Sequence, residues 1–185
     1  MEHPGGEELL DRVVAKSQEG YSEEAARALC RTIIKTIDYV HKQDVVHRDI
    51  KPSSFVLARP GDETSIRLTG FGMACFLDDD KLVTSPVFDD EPVAPNILEG
   101  KRHNTSVDMW NIGHVVHFLI AGCEPVFDEG GSEFSRRKKK GSLDLESESW
   151  ERTSQEAQDF VRRLLEKNPD DRITSGDAIK HPWMD

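Results

Sequence analysis

The residues of this chain best suited to chemistry lie in one short run, Val46-His47-Arg48-Asp49-Ile50-Lys51-Pro52. An aspartate carboxylate, Asp49, stands two residues before a lysine ammonium, Lys51. The first is the kind of group that accepts a proton, and the second the kind that offsets negative charge. A His-Arg-Asp tripeptide alone specifies little, so its meaning depends on what flanks it. The other reactive side chains show less pattern. Cys30, Cys75 and Cys123 are an odd number without metal-ligand spacing, which predicts a reducing, intracellular setting, cytoplasmic or nuclear. His41, His103, His114 and His117 show no ligand pattern and read as surface or hydrogen-bonded core histidines. The basic run Arg136 to Lys140 reads as a solvated face, with docking or localisation as the alternative.

The elements that must position these groups are mainly helical. Tyr21-Ser22-Glu23-Glu24 is a cap with acidic first-turn residues, and Leu29, Ile33, Ile34, Ile37 and Val40 follow at helical spacing, predicting a long buried helix to about Gln43. Phe55-Val56-Leu57 and Ser65-Ile66-Arg67-Leu68 predict a hairpin around Arg59-Pro60-Gly61-Asp62. Residues 70–101 read as irregular, Thr105 to Leu119 as a central apolar helix, and 124–150 as a mobile stretch. Thr153-Ser154-Gln155-Glu156 reads as a capping box before the stripe Ala157, Phe160, Val161, Leu164, Leu165. Thr174 with Asp177 caps a last helix that stops at His181-Pro182. With 185 residues the chain fits one domain. Its net charge of −11 disfavours nucleic acid or an anionic membrane as main partner. No apolar run reaches the roughly 20 residues of a membrane span, and the start Met-Glu-His-Pro-Gly-Gly, with neither basic flank nor apolar stretch, predicts no entry into the secretory pathway.

The run around Asp49 is the first of several motifs in order. After it come Gly70-Phe71-Gly72, Ala94-Pro95-Asn96, Asp108-Met109-Trp110-Asn111-Ile112-Gly113, Asn168-Pro169-Asp170-Asp171-Arg172-Ile173 and His181-Pro182-Trp183. This series resembles the protein kinases: the catalytic loop His-Arg-Asp, then Asp-Phe-Gly, Ala-Pro-Glu and the Asp-x-Trp-x-x-Gly of a central helix. Leu-Glu-Lys-Asn-Pro and His-Pro-Trp are similar to the calcium/calmodulin-dependent group, and Met1-Glu2 and Gly5-Gly6-Glu7 resemble its hinge and the helix beyond. The resemblance covers the whole chain. It implies a mainly α kinase large lobe with short β-hairpins: hinge remnant 1–7, catalytic loop 46–54, activation segment 70–96. On this reading the Gly-rich loop and Lys strand of the small lobe are expected to be missing, and no calmodulin-binding segment is expected after Trp183.

By this resemblance Asp49 is the base toward a substrate hydroxyl and Lys51 stabilises the transferred phosphate. Met1 in the hinge, Glu7 at the ribose and Val56 under the adenine become the ATP contacts, with Ser54 and Gly70 at the phosphate end. The family's magnesium ligands are the catalytic-loop Asn and the Asp of Asp-Phe-Gly, and these places hold Ser54 and Gly70. Glycine has no side-chain ligand and a neutral hydroxyl is a poor one. ATP binding is therefore expected to be weak and magnesium not to be held in the usual way. Gly-Phe-Gly also occurs in the pseudokinase-like domain of the calmodulin-kinase-related membrane-associated guanylate kinase scaffold, for which slow, magnesium-free transfer was proposed.

Further departures bear on substrate and scaffold. Phe88-Asp89-Asp90 replaces the family's Gly-Thr-Pro, which puts Asp89 against Asp49 with like charge. Asn96 replaces the Glu that pairs with the family's counterpart of Arg172. Arg48 pairs with a local acid or with phosphorylated Thr84 or Ser85. Asp108 and Trp110 are read as fold residues, the carboxylate accepting catalytic-loop amides, and His47 and Phe71 as part of a packed column. Two readings stay open for function. One is a kinase-like module that binds a partner protein, with Asp49 and Lys51 as structural remnants. The other is an ATP-dependent serine/threonine kinase, weak, magnesium-independent or active only with a small lobe supplied.

Overall fold

The computed structural model describes residues 7–15, 21–58, 62, 65–83, 94–95, 102–123, 125, 143, 145 and 148–185. A short helix, α1 (Leu9–Ala15), buries Leu9 and Val13 one turn apart. Helix α2 (Glu23–His41) follows its expected cap, with the Ser22 hydroxyl accepting from the Ala25 amide at 3.3 Å. The whole predicted stripe, Leu29, Ile33, Ile34, Ile37 and Val40, is buried. Helix α3 (Ser106–Ala121) is apolar nearly all round and runs through the core, so it is covered on every side. Gly122 ends it with φ +70°, a left-handed cap that suits glycine.

Strands are few and short. β1 is Val45–Val46, β2 is Phe55–Leu57, β3 is Ile66–Leu68 and β4 is Cys75–Phe76. β2 and β3 form the expected antiparallel hairpin, with Phe55 opposite Leu68 and Leu57 opposite Ile66. β1 pairs with β4, Val45 opposite Phe76 and Val46 opposite Cys75. This second pairing corrects the reading of residues 70–101 as wholly irregular: a turn at Phe71–Met73 and β4 lie inside it. Two residues of strand carry no alternation to detect, and the partner lies about thirty residues back in sequence.

The carboxy-terminal part adds α4 (Glu148–Glu151), α5 (Gln155–Leu164), α6 (Ser175–Ala178) and a closing turn, Pro182–Met184. The α5 cap is Ser154, whose hydroxyl accepts from the Ala157 amide at 3.1 Å, one residue later than the predicted Thr153. Thr153 instead donates to the Trp150 carbonyl at 2.8 Å. Thr174 caps α6 as expected, accepting from the Asp177 amide. Helix α3 packs on α2 and α5, and α2 on α6. At the α3–α5 crossing Gly113 has no room for a side chain, since a Cβ there would lie 2.6 Å from Leu165 Cδ2 and 3.1 Å from Leu164 Cβ. Among the described residues no helix is long and apolar enough to cross a membrane. The expected mobile stretch 124–150 lies largely outside the described residues.

Candidate functional site: the loop around Asp49

The loop is organised from α3. Asp108, in the first turn of that helix and fully buried, accepts the His47 amide at 2.8 Å on Oδ2 and the Arg48 amide at 2.8 Å on Oδ1. Arg48 is in the left-handed region, φ +69°. His41 Nε2, 3.0 Å from Oδ2, adds a third partner, and such a set makes burial of a carboxylate tolerable. The reading of Asp108 as acceptor for loop amides is thus met. His47 is buried, with Nε2 at 2.8 Å from the Thr69 carbonyl and Nδ1 accepting from the Asp49 amide at 3.3 Å, which places its ring hydrogen on Nε2. Phe71 meets it edge-on at 4.7 Å but stays 42% exposed, so it forms the rim of the column rather than its interior.

Asp49 and Lys51 stand together, Nζ to Oδ1 3.2 Å, both partly open to solvent. Ser54 is buried. Its hydroxyl donates to the Asp49 carbonyl at 2.9 Å and accepts from the Lys51 amide at 3.3 Å, while its own carbonyl takes the Thr69 amide at 2.8 Å. The side chain is spent in closing the loop on itself. Gly70 lies opposite, φ +82°, and a Cβ there would sit 3.6 Å from Ser54 Oγ. No carboxylate or amide oxygen therefore projects from either position, and the pair does not fit a magnesium ion, which demands several hard oxygen ligands.

The remaining predicted contacts are dispersed. Val56 is buried, paired opposite Arg67 and bridged to Glu8. Glu7 directs its carboxylate to Arg12, Oε2 to Nε 2.8 Å, and its carbonyl to the Leu57 amide. Met1, Thr84, Ser85, Phe88, Asp89 and Asn96 lie outside the described residues. Arg48 Nε donates to the Met73 carbonyl at 2.6 Å, tying the loop to the turn after Gly70. Arg172 is buried over the Trp110 ring, 5.1 Å from its centroid, and donates to the carbonyls of Ser106 and Glu166, both at 2.7 Å, and of Lys167 at 3.1 Å. Burial pushes its pKa down to about 10, with the Glu166 charge opposing.

Some features carry no local mark in the sequence. The Glu23 carboxylate accepts the Ser154 amide at 2.8 Å, the Ser154 hydroxyl at 2.6 Å and Trp183 Nε1 at 3.0 Å. It looked only like a first-turn acid. A groove of about 380 Å³ between the end of α2, β1 and β4 is lined by Tyr39, Val40, Val45, Phe71, Cys75 and Phe76. Tyr39 and Phe76 are 69% and 76% exposed there. Large apolar side chains in a strand or helix normally face the core, so isolated exposed ones cannot be picked out by periodicity.

A buried aspartate holding a His-Arg-Asp loop by its amides, beside a Phe-Gly turn and an Asp-x-Trp-x-x-Gly helix, defines a protein kinase domain. The chain belongs to that family: the protein kinase domain model matches residues 1–184. It is distantly related to plant calcium-dependent protein kinases. Calcium-dependent protein kinase 19 of Oryza sativa subsp. japonica is 34% identical over 184 residues, covering 100% of this chain and 34% of that protein. Calcium-dependent protein kinase 33 of Arabidopsis thaliana is 34% identical, with 35% of its length covered, and calcium-dependent protein kinase 9 of the same plant 35% identical, with 34% covered. The chain thus spans about a third of the length of the curated relatives it matches. What is described is a mainly helical fragment of a kinase domain with two small sheets.

Proposed function

We propose that this chain is the carboxy-terminal lobe of a kinase of the calcium/calmodulin-dependent group, and that it acts by binding another protein rather than by magnesium-dependent phosphoryl transfer. The observation that carries this is the state of Ser54 and Gly70. The Ser54 hydroxyl is committed to Asp49 and Lys51, and Gly70 offers only backbone in a left-handed turn. Phosphoryl transfer is positioning and charge neutralisation, and without the metal the second is largely lost. The groove lined by Tyr39, Phe71 and Phe76 supports a role in binding, because three large side chains stand exposed around one cavity. Burial of Val56 and the Glu7–Arg12 pair support weak ATP binding. That no disulfide joins Cys30, Cys75 and Cys123 supports a reducing compartment.

A second reading rests on the Asp49–Lys51 contact, since both groups remain side by side and open to solvent. On that reading the chain is a weak serine/threonine kinase, working without magnesium or only with a small lobe present. Incubating the purified chain with labelled ATP and a basic peptide, with magnesium and with chelator, separates the two. The binding module gives no peptide labelling in either buffer and no magnesium-dependent thermal shift with ATP. Magnesium-stimulated turnover overturns the proposal, and labelling in chelator that Asp49→Asn abolishes establishes the second reading.

A further inference from the structure

We propose that the face of α2 around Lys35 is a docking site for an acidic segment of a partner protein, one that carries a single large apolar side chain between its carboxylates. A cavity of about 230 Å³ opens there between α2, the residue after α6 and the closing turn, lined by Arg31, Ile34, Lys35, Ile179 and Met184. Its inner wall is apolar, with Ile34 and Met184 buried and Ile179 half-buried. The charged groups of the lining are Arg31 and Lys35, one turn apart on α2 and both positive. The cavity shares no residue with the Tyr39–Phe76 groove, and docking there does not depend on whether the chain transfers phosphate.

The charge pattern selects an acidic occupant. Acidic residues outnumber basic ones by 35 to 24 in this chain, yet among the described residues no acidic side chain pairs with either cation of the cavity. Arg31 is held by main-chain oxygens, Nε donating to Met184 and Nη2 to Asp185, which leaves Nη1 to give. Lys35 is exposed and makes no hydrogen bond or ion pair among the described residues. Most acids of the surrounding elements are spent elsewhere: Glu23 on Ser154 and Trp183, Asp38 on Ser175 and Lys42, and Asp177 on Thr174 and Lys180. Glu24, two turns before Arg31, and Asp185 are the exposed exceptions. Arg27, Arg31 and Lys35 recur every fourth residue, so they form one basic ridge along the helix. A cavity of this size is below the roughly 300–1,000 Å³ of small-molecule pockets and suits one apolar side chain, with carboxylates on either side reaching the ridge. The net charge of −11 disfavours an anionic membrane as the occupant.

The test is fluorescence anisotropy of the full chain with fluorescein-labelled peptides in which Leu, Met, Phe or Trp stands between glutamates. In low salt at least one peptide should bind with a Kd below about 1 mM. Replacing its central apolar residue by Ser should weaken binding about tenfold, and replacing its glutamates by Gln should abolish it. Lys35→Glu, at an exposed position, should weaken binding by about fivefold or more, and Lys35→Gln, which only removes the charge, by about threefold. Arg162→Glu, a reversal of the same sign at an exposed position of α5, should leave it unchanged. Three results overturn the proposal: no peptide binds, Lys35→Glu weakens binding no more than Arg162→Glu, or phosphatidylserine vesicles retain the wild type in sedimentation and lose it on Lys35→Glu.

Discussion

Replacing Glu23 by alanine should destabilise this domain more than any other change at a partly exposed acid of α2. The carboxylate takes hydrogen bonds from the Ser154 amide, the Ser154 hydroxyl and Trp183 Nε1, and so joins the start of α2, the start of α5 and the closing turn. Hydrogen bonds to a charged acceptor are worth about 1.5–3 kcal/mol each, and discounting for the partial exposure of Glu23 leaves roughly 1 kcal/mol apiece, or about 3 kcal/mol in all. For a domain of this size that is a fall of roughly 6–12 °C in Tm. Burial alone would raise the Glu23 pKa, but the Ser154 and Trp183 hydrogen bonds and the nearby Arg27 charge outweigh it and hold it below the usual 4.5. A lowered folded value means the stabilisation is fully present above 4.5 and is lost as pH falls through the folded value. Thermal unfolding of wild type and Glu23→Ala, followed by circular dichroism from about pH 3 to about pH 7, should therefore show a gap between the two curves that narrows toward the acid end. Glu24→Ala, in the same first turn and exposed, controls for the helix dipole and should shift stability by no more than about 0.5 kcal/mol. A Glu23→Ala effect as small as that of Glu24→Ala, or one that does not shrink with acid, would refute the reasoning.

Gly113→Ala should lose about 1–2 kcal/mol in urea unfolding despite alanine's better helix propensity, because overpacking at Leu164 and Leu165 outweighs the gain; an unchanged midpoint would mean that α3 and α5 separate freely. Thiol labelling followed by mass should modify exposed Cys123 first and half-buried Cys75 more slowly. Burial raises the Cys75 pKa, with Arg48 opposing and Asp108 adding to the rise. Buried Cys30, its thiol pushed far up by desolvation, should react only after unfolding; native-state labelling of Cys30 at the Cys123 rate would contradict the packing of α2.

The features of this protein that are local along the chain can be read from its residues alone. The α2 stripe, the caps at Ser22 and Thr174, the β2–β3 hairpin and the ordered motifs around Asp49 and Asp108 can be read because helix period, cap chemistry and turn chemistry act over a few residues. The sequence also located the substitutions at Ser54 and Gly70. It did not show what became of them: that Ser54 closes the loop on Asp49 and Lys51 depends on the three-residue turn that carries it inward. Ser154 rather than Thr153 caps α5 because only Ser154 meets Glu23, over a hundred residues earlier. The β1–β4 pair, the Tyr39–Phe76 groove and the Asp38–Ser175–His41–Asp108 series likewise join residues far apart in sequence. Such contacts form only when helices that are each amphipathic or apolar choose one mutual packing, and Glu23, His41 and Ser175 carry no periodic mark of the partners that packing brings them.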